Sequence, residues 1–88
     1  MEHSDFHIGC EFMTATGRWR CTDIGSRTIV AIKIDPIELV QLETGHKTKR
    51  HLSYAEAERE GWFDGPPYAL AETVFDEDDL ESCEPVSR

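Results

Sequence analysis

A chain of 88 residues, 39% hydrophobic and 31% charged, has room for one core and no second domain, and its apolar residues fall in patterned runs that a disordered chain lacks. No apolar stretch approaches the ~20 residues that span a bilayer, and Met1-Glu2-His3-Ser4-Asp5 lacks the basic region and apolar core of a secretory signal, so a soluble cytoplasmic protein is expected. The formal charge of −9 sets the chain against phosphate backbones and anionic membrane surfaces, which argues against direct nucleic-acid or lipid binding.

Phe6 to Phe12 alternates, with Phe6, Ile8, Cys10 and Phe12 on one face and His7, Gly9 and Glu11 on the other, the period of a half-buried strand. Thr14-Ala15-Thr16-Gly17 is turn chemistry and predicts a hairpin into a second strand, Arg18 to Thr22, with Trp19 and Cys21 inward and both arginines outward. After a turn at Asp23 to Ser26, the run Arg27 to Ile34 is β-branched and almost continuously apolar, which fits a central strand covered on both faces.

Local signals conflict over residues 35–44. Asp35-Pro36-Ile37-Glu38 has the cap, the first-turn proline and the acid that start a helix, with Gly45 to stop it. Glu38 to Leu42, then Gly45, then the polar run Lys47 to Leu52 read instead as a hairpin with an edge-like second arm. The hairpin is favoured, because apolar positions 37, 39, 40 and 42 make no tight helical stripe.

Ser53-Tyr54-Ala55-Glu56 matches a capping box, and the helix formers after it predict a short helix over 54–60, ended by Gly61. The tandem Pro66-Pro67 forbids helix and imposes a turn from which Trp62 and Phe63 fold back as a lid on the core. Tyr68 to Phe75 alternates as a last strand. Asp76 to Leu80 starts a helical turn, since carboxylates suit a helix N-terminus, and Pro85 precedes a frayed tail, leaving an ordered core of about residues 5–80. About five strands with short turns, one helix and no βαβ spacing predict a mainly β (α+β) domain, either a small bent antiparallel sheet or an SH3-like barrel.

The segments Gly17-Arg18-Trp19-Arg20-Cys21-Thr22-Asp23-Ile24-Gly25-Ser26-Arg27-Thr28-Ile29 and Gly65-Pro66-Pro67-Tyr68-Ala69-Leu70-Ala71-Glu72-Thr73-Val74-Phe75-Asp76-Glu77-Asp78-Asp79 resemble a group of short uncharacterised bacterial proteins. The resemblance implies a bacterial or mobile-element origin and brings no activity, cofactor or catalytic residue with it. Residues 36–64 lie between the two segments, so the hairpin and helix expected there take no support from it.

Three cysteines, Cys10, Cys21 and Cys83, leave one thiol over in any pairing, so reduced thiols are expected; a Cys10–Cys21 disulfide stays open should their strands pair. With His3, His7, His46 and His51 they invite a zinc reading. Only His7 and Cys10 are close, however, and on a strand that spacing puts them on opposite faces, so neither metal nor other cofactor is expected. No nucleophile motif is present and a chain this short has little volume for a deep pocket, so the protein is read as no enzyme, with no catalytic residue.

Two surfaces remain. Lys47, Lys49 and Arg50, beside His51, are the one candidate phosphate-contacting edge, read first as a charged edge that deters sheet-to-sheet aggregation. Trp19, Trp62, Phe63 and Tyr68 read first as core. Should Trp62 and Tyr68 instead stand exposed near Asp76, Glu77, Asp78 and Asp79, they would form an aromatic and anionic groove for a basic peptide or a loop of a larger protein. The favoured reading is a non-enzymatic, acidic protein-interaction module that binds another macromolecule through its rim, the partner being a protein, basic or nucleic-acid-handling. The alternatives are an acidic nucleic-acid mimic that inhibits a DNA- or RNA-handling enzyme, of anti-restriction or anti-CRISPR type, and a weak nucleic-acid binder through the 47–51 edge. An exposed edge strand would also make a homodimer physically reasonable.

Overall fold

The structure, a computed structural model, describes residues 1–43 and 45–86, and of 38–43 and 46–50 the backbone alone. Its centre is the apolar run expected to be covered on both faces. This strand, β3 (Ile29–Asp35), lies between β2 (Gly17–Ile24) and β6 (Glu72–Phe75), and the sheet continues through β1 (Glu11–Thr14) to β7 (Glu84–Pro85), giving the antiparallel order β6-β3-β2-β1-β7. β4 (Ile37–Glu43) and β5 (His46–Leu52) form a separate two-stranded hairpin, α1 (Tyr54–Arg59) follows it, and α2 (Glu77–Leu80) joins β6 to β7. The sheet is open, with β6 and β7 as its two edges, so the bent sheet and not a closed barrel is the form adopted. Register shifts between Cys21 and Asp23 and between Arg18 and Trp19 interrupt the β2–β3 ladder; bulges of this kind sharpen the bend of a sheet.

Alternation along β3 divides the interior in two. Ile29 and Ala31 join Phe6, Phe12, Cys21, Phe75, Leu80 and Cys83 in one buried cluster. Ile32 and Ile34 join Ile37, Leu52, Ala57 and Phe63 in the other, on the opposite face. Edge-to-face rings knit the first cluster: Phe12 meets Phe6 at 5.2 Å and Phe75 at 5.4 Å between centroids, and Phe75 meets Trp19 at 4.9 Å. The second cluster is closed by α1 and by the base of the hairpin, where Ile37 faces Leu52.

The hairpin reading of residues 35–52 holds, and so does the helix. Ser53 caps α1 by accepting the Glu56 N–H at 3.2 Å. At its end Gly61 turns left-handed at φ 80°, and the bonds Trp62 N–H to Ala57 O and Gly61 N–H to Glu58 O make a Schellman closure.

Three expectations need correction. The first strand does not run from Phe6 to Phe12: residues 3–5 form a 3-10 turn, and pairing begins at Glu11. Gly9, at φ 94°, donates to Cys21 O at 2.8 Å while Cys21 donates to Cys10 O at 2.9 Å, so two residues oppose one in a glycine bulge that follows the His7–Cys10 turn. Past that bulge the alternation is lost, and Ile8, expected inward, is 62% exposed. The last strand starts at Glu72, not Tyr68, with residues 65–70 in turns and bends. Finally, structure extends on either side of the expected core of residues 5–80: the Met1 amino group donates to Leu80 O at 3.0 Å and Cys83 O at 2.9 Å, and β7 pairs with Phe12 and Met13.

Phe12 is wholly buried where the ring contacts cross. Phe12→Ala is therefore expected to cost about 3–5 kcal/mol of unfolding free energy, checked by urea denaturation followed by circular dichroism.

Candidate functional site

The two edges of the sheet differ in what they offer. β7 is two residues long and ends in Pro85, which has no N–H to give, so that edge is short and blunted. β6 carries no proline, pairs on one side with β3, and leaves Glu72, Thr73 and Val74 exposed, Val74 by 61%. In an antiparallel ladder every second residue of an edge strand turns its N–H and C=O away from its neighbour. Among the described residues no further strand pairs with β6, so these groups line an open edge.

Side chains beside the edge follow from the register. Ala31↔Thr73 and Ile29↔Phe75 put Thr73 and Phe75 on the Trp19 face, whereas Ile32↔Glu72 and Val30↔Val74 put Glu72 and Val74 on the other. Beside the start of the edge a depression of about 280 Å³ is lined by Trp19, Lys33 and Thr73 of the Trp19 face and by Pro36, Ile37, Leu70 and Ala71, of which Ile37 and Leu70 also pack in the second cluster. Lys33 Nζ lies 5.9 Å from the centroid of the Trp19 ring, and the indole N–H is bonded to Thr14 Oγ1 at 2.9 Å. A volume near the low end of ligand pockets admits one side chain more readily than a drug-sized molecule. At the far end of β6, Asp76, Glu77 and Asp78 line a second depression with Arg27 and Thr28.

The groove envisaged between Trp62, Tyr68 and the acidic run is not assembled in one place. Trp62 and Tyr68 are half-buried against the second cluster, with Ile32 and Ile34. Asp76, Glu77, Asp78 and Asp79 follow Phe75, which pairs with Ile29 at the opposite end of β3. Much of the acidic run is also engaged. Asp76 Oδ1 accepts the Asp79 N–H at 3.0 Å and Asp79 Oδ2 accepts the Asp76 N–H at 3.1 Å, a capping box for α2, while Glu77 pairs with Arg27 at 3.6 Å.

The basic surface is thinner than the arginine count implies. Arg18 and Arg20 do leave the Trp19 face, yet α1 lies over them. Arg18 meets Glu11 at 2.6 Å, and Arg20 donates to Glu11 Oε2 at 3.0 Å and to Tyr54 Oη at 3.2 Å. Their guanidinium groups also lie over rings, Arg18 over Tyr54 and Arg20 over Phe63. The side chains of Lys47, Lys49 and Arg50 lie outside the described residues; their backbone belongs to β5.

The thiols belong to the core. Cys21 and Cys83 are buried and Cys10 half-buried, all three free, and the Cys21 Sγ–H points to Asp23 O at 3.4 Å. Burial pushes the Cys21 thiol up from 9.0 to about 11, and its cross-strand neighbour Cys10 adds to the rise. Burial likewise raises Cys83. His3 Nε2–H donates to Gly25 O at 2.8 Å and Thr28 O at 3.2 Å, so that imidazole is spent on a turn. Among the described residues no group of three His, Cys, Asp or Glu side chains is placed to hold a metal ion, and no helix is long and apolar enough to cross a membrane. The chain matches no protein-family model, no curated protein and no solved structure.

What sequence reasoning missed is the edge itself. Glu72 to Phe75 was legible as a strand, but its place beside β3, with no described strand on its other side, is a fact of topology. Two predictions follow from these placements. Trp62→Ala is expected to lower stability by about 2 kcal/mol in urea denaturation, because the indole covers the second cluster. The folded chain holds the Cys21 proton more tightly than the unfolded chain does, so the thiol's contribution is whole below the ordinary thiol value and is lost as pH rises from 9.0 through about 11. Urea midpoints taken upward from about pH 8 should fall across that window, and less steeply in Cys21→Ala.

Proposed function

We propose that this chain is a non-enzymatic protein-interaction module whose working surface is the β6 rim of the sheet. The observation that carries the reading is an edge strand that no further strand pairs with among the described residues, three of its four residues exposed, and a side-chain-sized groove beside it. Strand addition at such an edge uses main-chain hydrogen bonds for affinity and pockets for alternate side chains for selectivity. A location in the cytoplasm and a bacterial or mobile-element origin accompany this proposal. They draw on the three free thiols and on the resemblance described above.

The charge-mimic reading has less behind it. Imitation of a nucleic acid needs carboxylates spread along a surface like phosphates, whereas Asp76, Glu77 and Asp79 are bunched and engaged in capping or with Arg27. Direct nucleic-acid binding loses Arg18 and Arg20 to Glu11.

Two proline variants test the rim. Of Thr73→Pro and Val74→Pro, one removes an N–H that bonds β3 and destabilises the fold; the other removes an outward N–H and leaves the thermal midpoint close to that of the parent. In affinity capture from the native host, the stable variant is expected to lose the partner that the parent chain retains, and duplex DNA should not compete. Equal capture by the parent and the stable variant refutes the rim as the binding surface.

A further inference from the structure

We infer that the occupant of the β6 edge is an extended basic segment of another protein, which adds a strand to the sheet, lowers one apolar side chain into the Trp19–Leu70–Thr73 groove, and presents lysine or arginine to the acids of residues 72–79. The inference rests on the reading of β6 as a binding edge and names what that edge takes.

Charge selects the occupant. The edge and the turn after it carry five acids, Glu72, Asp76, Glu77, Asp78 and Asp79, and the one cation ion-paired to them among the described residues is Arg27, with Glu77. Glu72 accepts the Thr22 hydroxyl at 2.8 Å, and Asp76 and Asp79 accept backbone N–H groups; none of these donors carries a charge that offsets the acids. A strand laid along β6 therefore runs through a negative field, and a basic sequence is drawn in where an acidic one is repelled.

The same argument disfavours a second copy. Antiparallel pairing of two β6 strands would set the Glu72 end of each against the Asp76 end of the other, acid on acid, in chains that each carry −9.

Periodicity of the guest follows from the register. Its side chains alternate between the Trp19 face, where the groove is largely apolar, and the face of Glu72 and Val74. A segment that alternates apolar and basic residues satisfies both faces at once. Lys33 stands at the groove over the Trp19 ring, which further discourages a basic side chain from entering on that face.

The experiment uses the whole chain, nitrogen-15 labelled, titrated with a capped peptide of about eight alternating valines and lysines, long enough to cover a typical strand. A matched peptide has glutamate in place of each lysine. The valine–lysine peptide is expected to shift the amides of Glu72 to Phe75 and the indole N–H of Trp19, to weaken with added salt, and to bind about fivefold less tightly to Asp78→Asn. The valine–glutamate peptide is expected to shift none of them. Equal binding of both peptides at Glu72 to Phe75 would keep the edge and overturn the basic partner. Shifts confined to Asp76 to Asp79, or no shifts with either peptide, would overturn the edge and the partner together. Edge shifts that appear on raising the concentration of the chain alone would make a second copy the occupant and overturn the inference.

Discussion

The architecture depends on one strand that is apolar on both sides. Ile29 and Ala31 face one way and Ile32 and Ile34 the other, all fully buried, so no arrangement that leaves one face of β3 in water would be stable. Two separate covers are therefore required from a short chain. One comes from the phenylalanines of the first segment together with Phe75, Leu80 and Cys83. The other comes from the base of the β4–β5 hairpin, Ala57 of α1 and Phe63. The bonds from the Met1 amino group to Leu80 O and Cys83 O join the first segment to the turn after α2 and so hold the first cover together.

How the polar groups are distributed follows from those covers. On the face opposite Trp19, the two arginines of β2 reach Glu11 of β1, which supplies a carboxylate to both, while Tyr54 and Phe63 supply ring faces. Residues that read in sequence as a basic outer surface are thus consumed in joining helix to sheet. The acidic run has a comparable fate, since Asp76 and Asp79 satisfy the first-turn donors of α2 before they meet anything else. What the covers do not reach is the outer side of β6.

Local signals were legible wherever a short range decided the outcome. The cap at Ser53, the stop at Gly61, the Thr14–Gly17 turn and the central strand are each settled by a few neighbouring residues, and each stands in the structure. Phe6 to Cys10 failed because alternation alone cannot register a left-handed glycine: Gly9 fits a two-residue period, yet its positive φ ends the ladder and turns Ile8 outward. β7 failed because Pro85 reads as a terminator, although its missing N–H is harmless at a sheet edge. The site was the least legible part. Trp62 and Tyr68 are near the acidic run in sequence but belong to the other end of β3, a separation set by strand register, which no local pattern encodes.

The acids beside β6 bear on folding and on the proposed recognition alike. An exposed edge bearing a valine is an invitation to any strand, including one from an identical chain, and natural sheets meet that hazard with charge, proline, bulges or brevity. β7 uses brevity and proline. β6 has neither, and Glu72 at its start and Asp76 just past its end are the charges that remain. Charge of one sign does not close an edge; it filters what approaches. Like-charged strands, above all a second copy, meet repulsion there, while among the described residues no strand pairs with the outer backbone groups. Proline or a covering helix would have removed the hazard and the binding capacity together. On the reading proposed above, an edge screened by carboxylates, with no proline and no covering helix among the described residues, is one that a partner strand could still join.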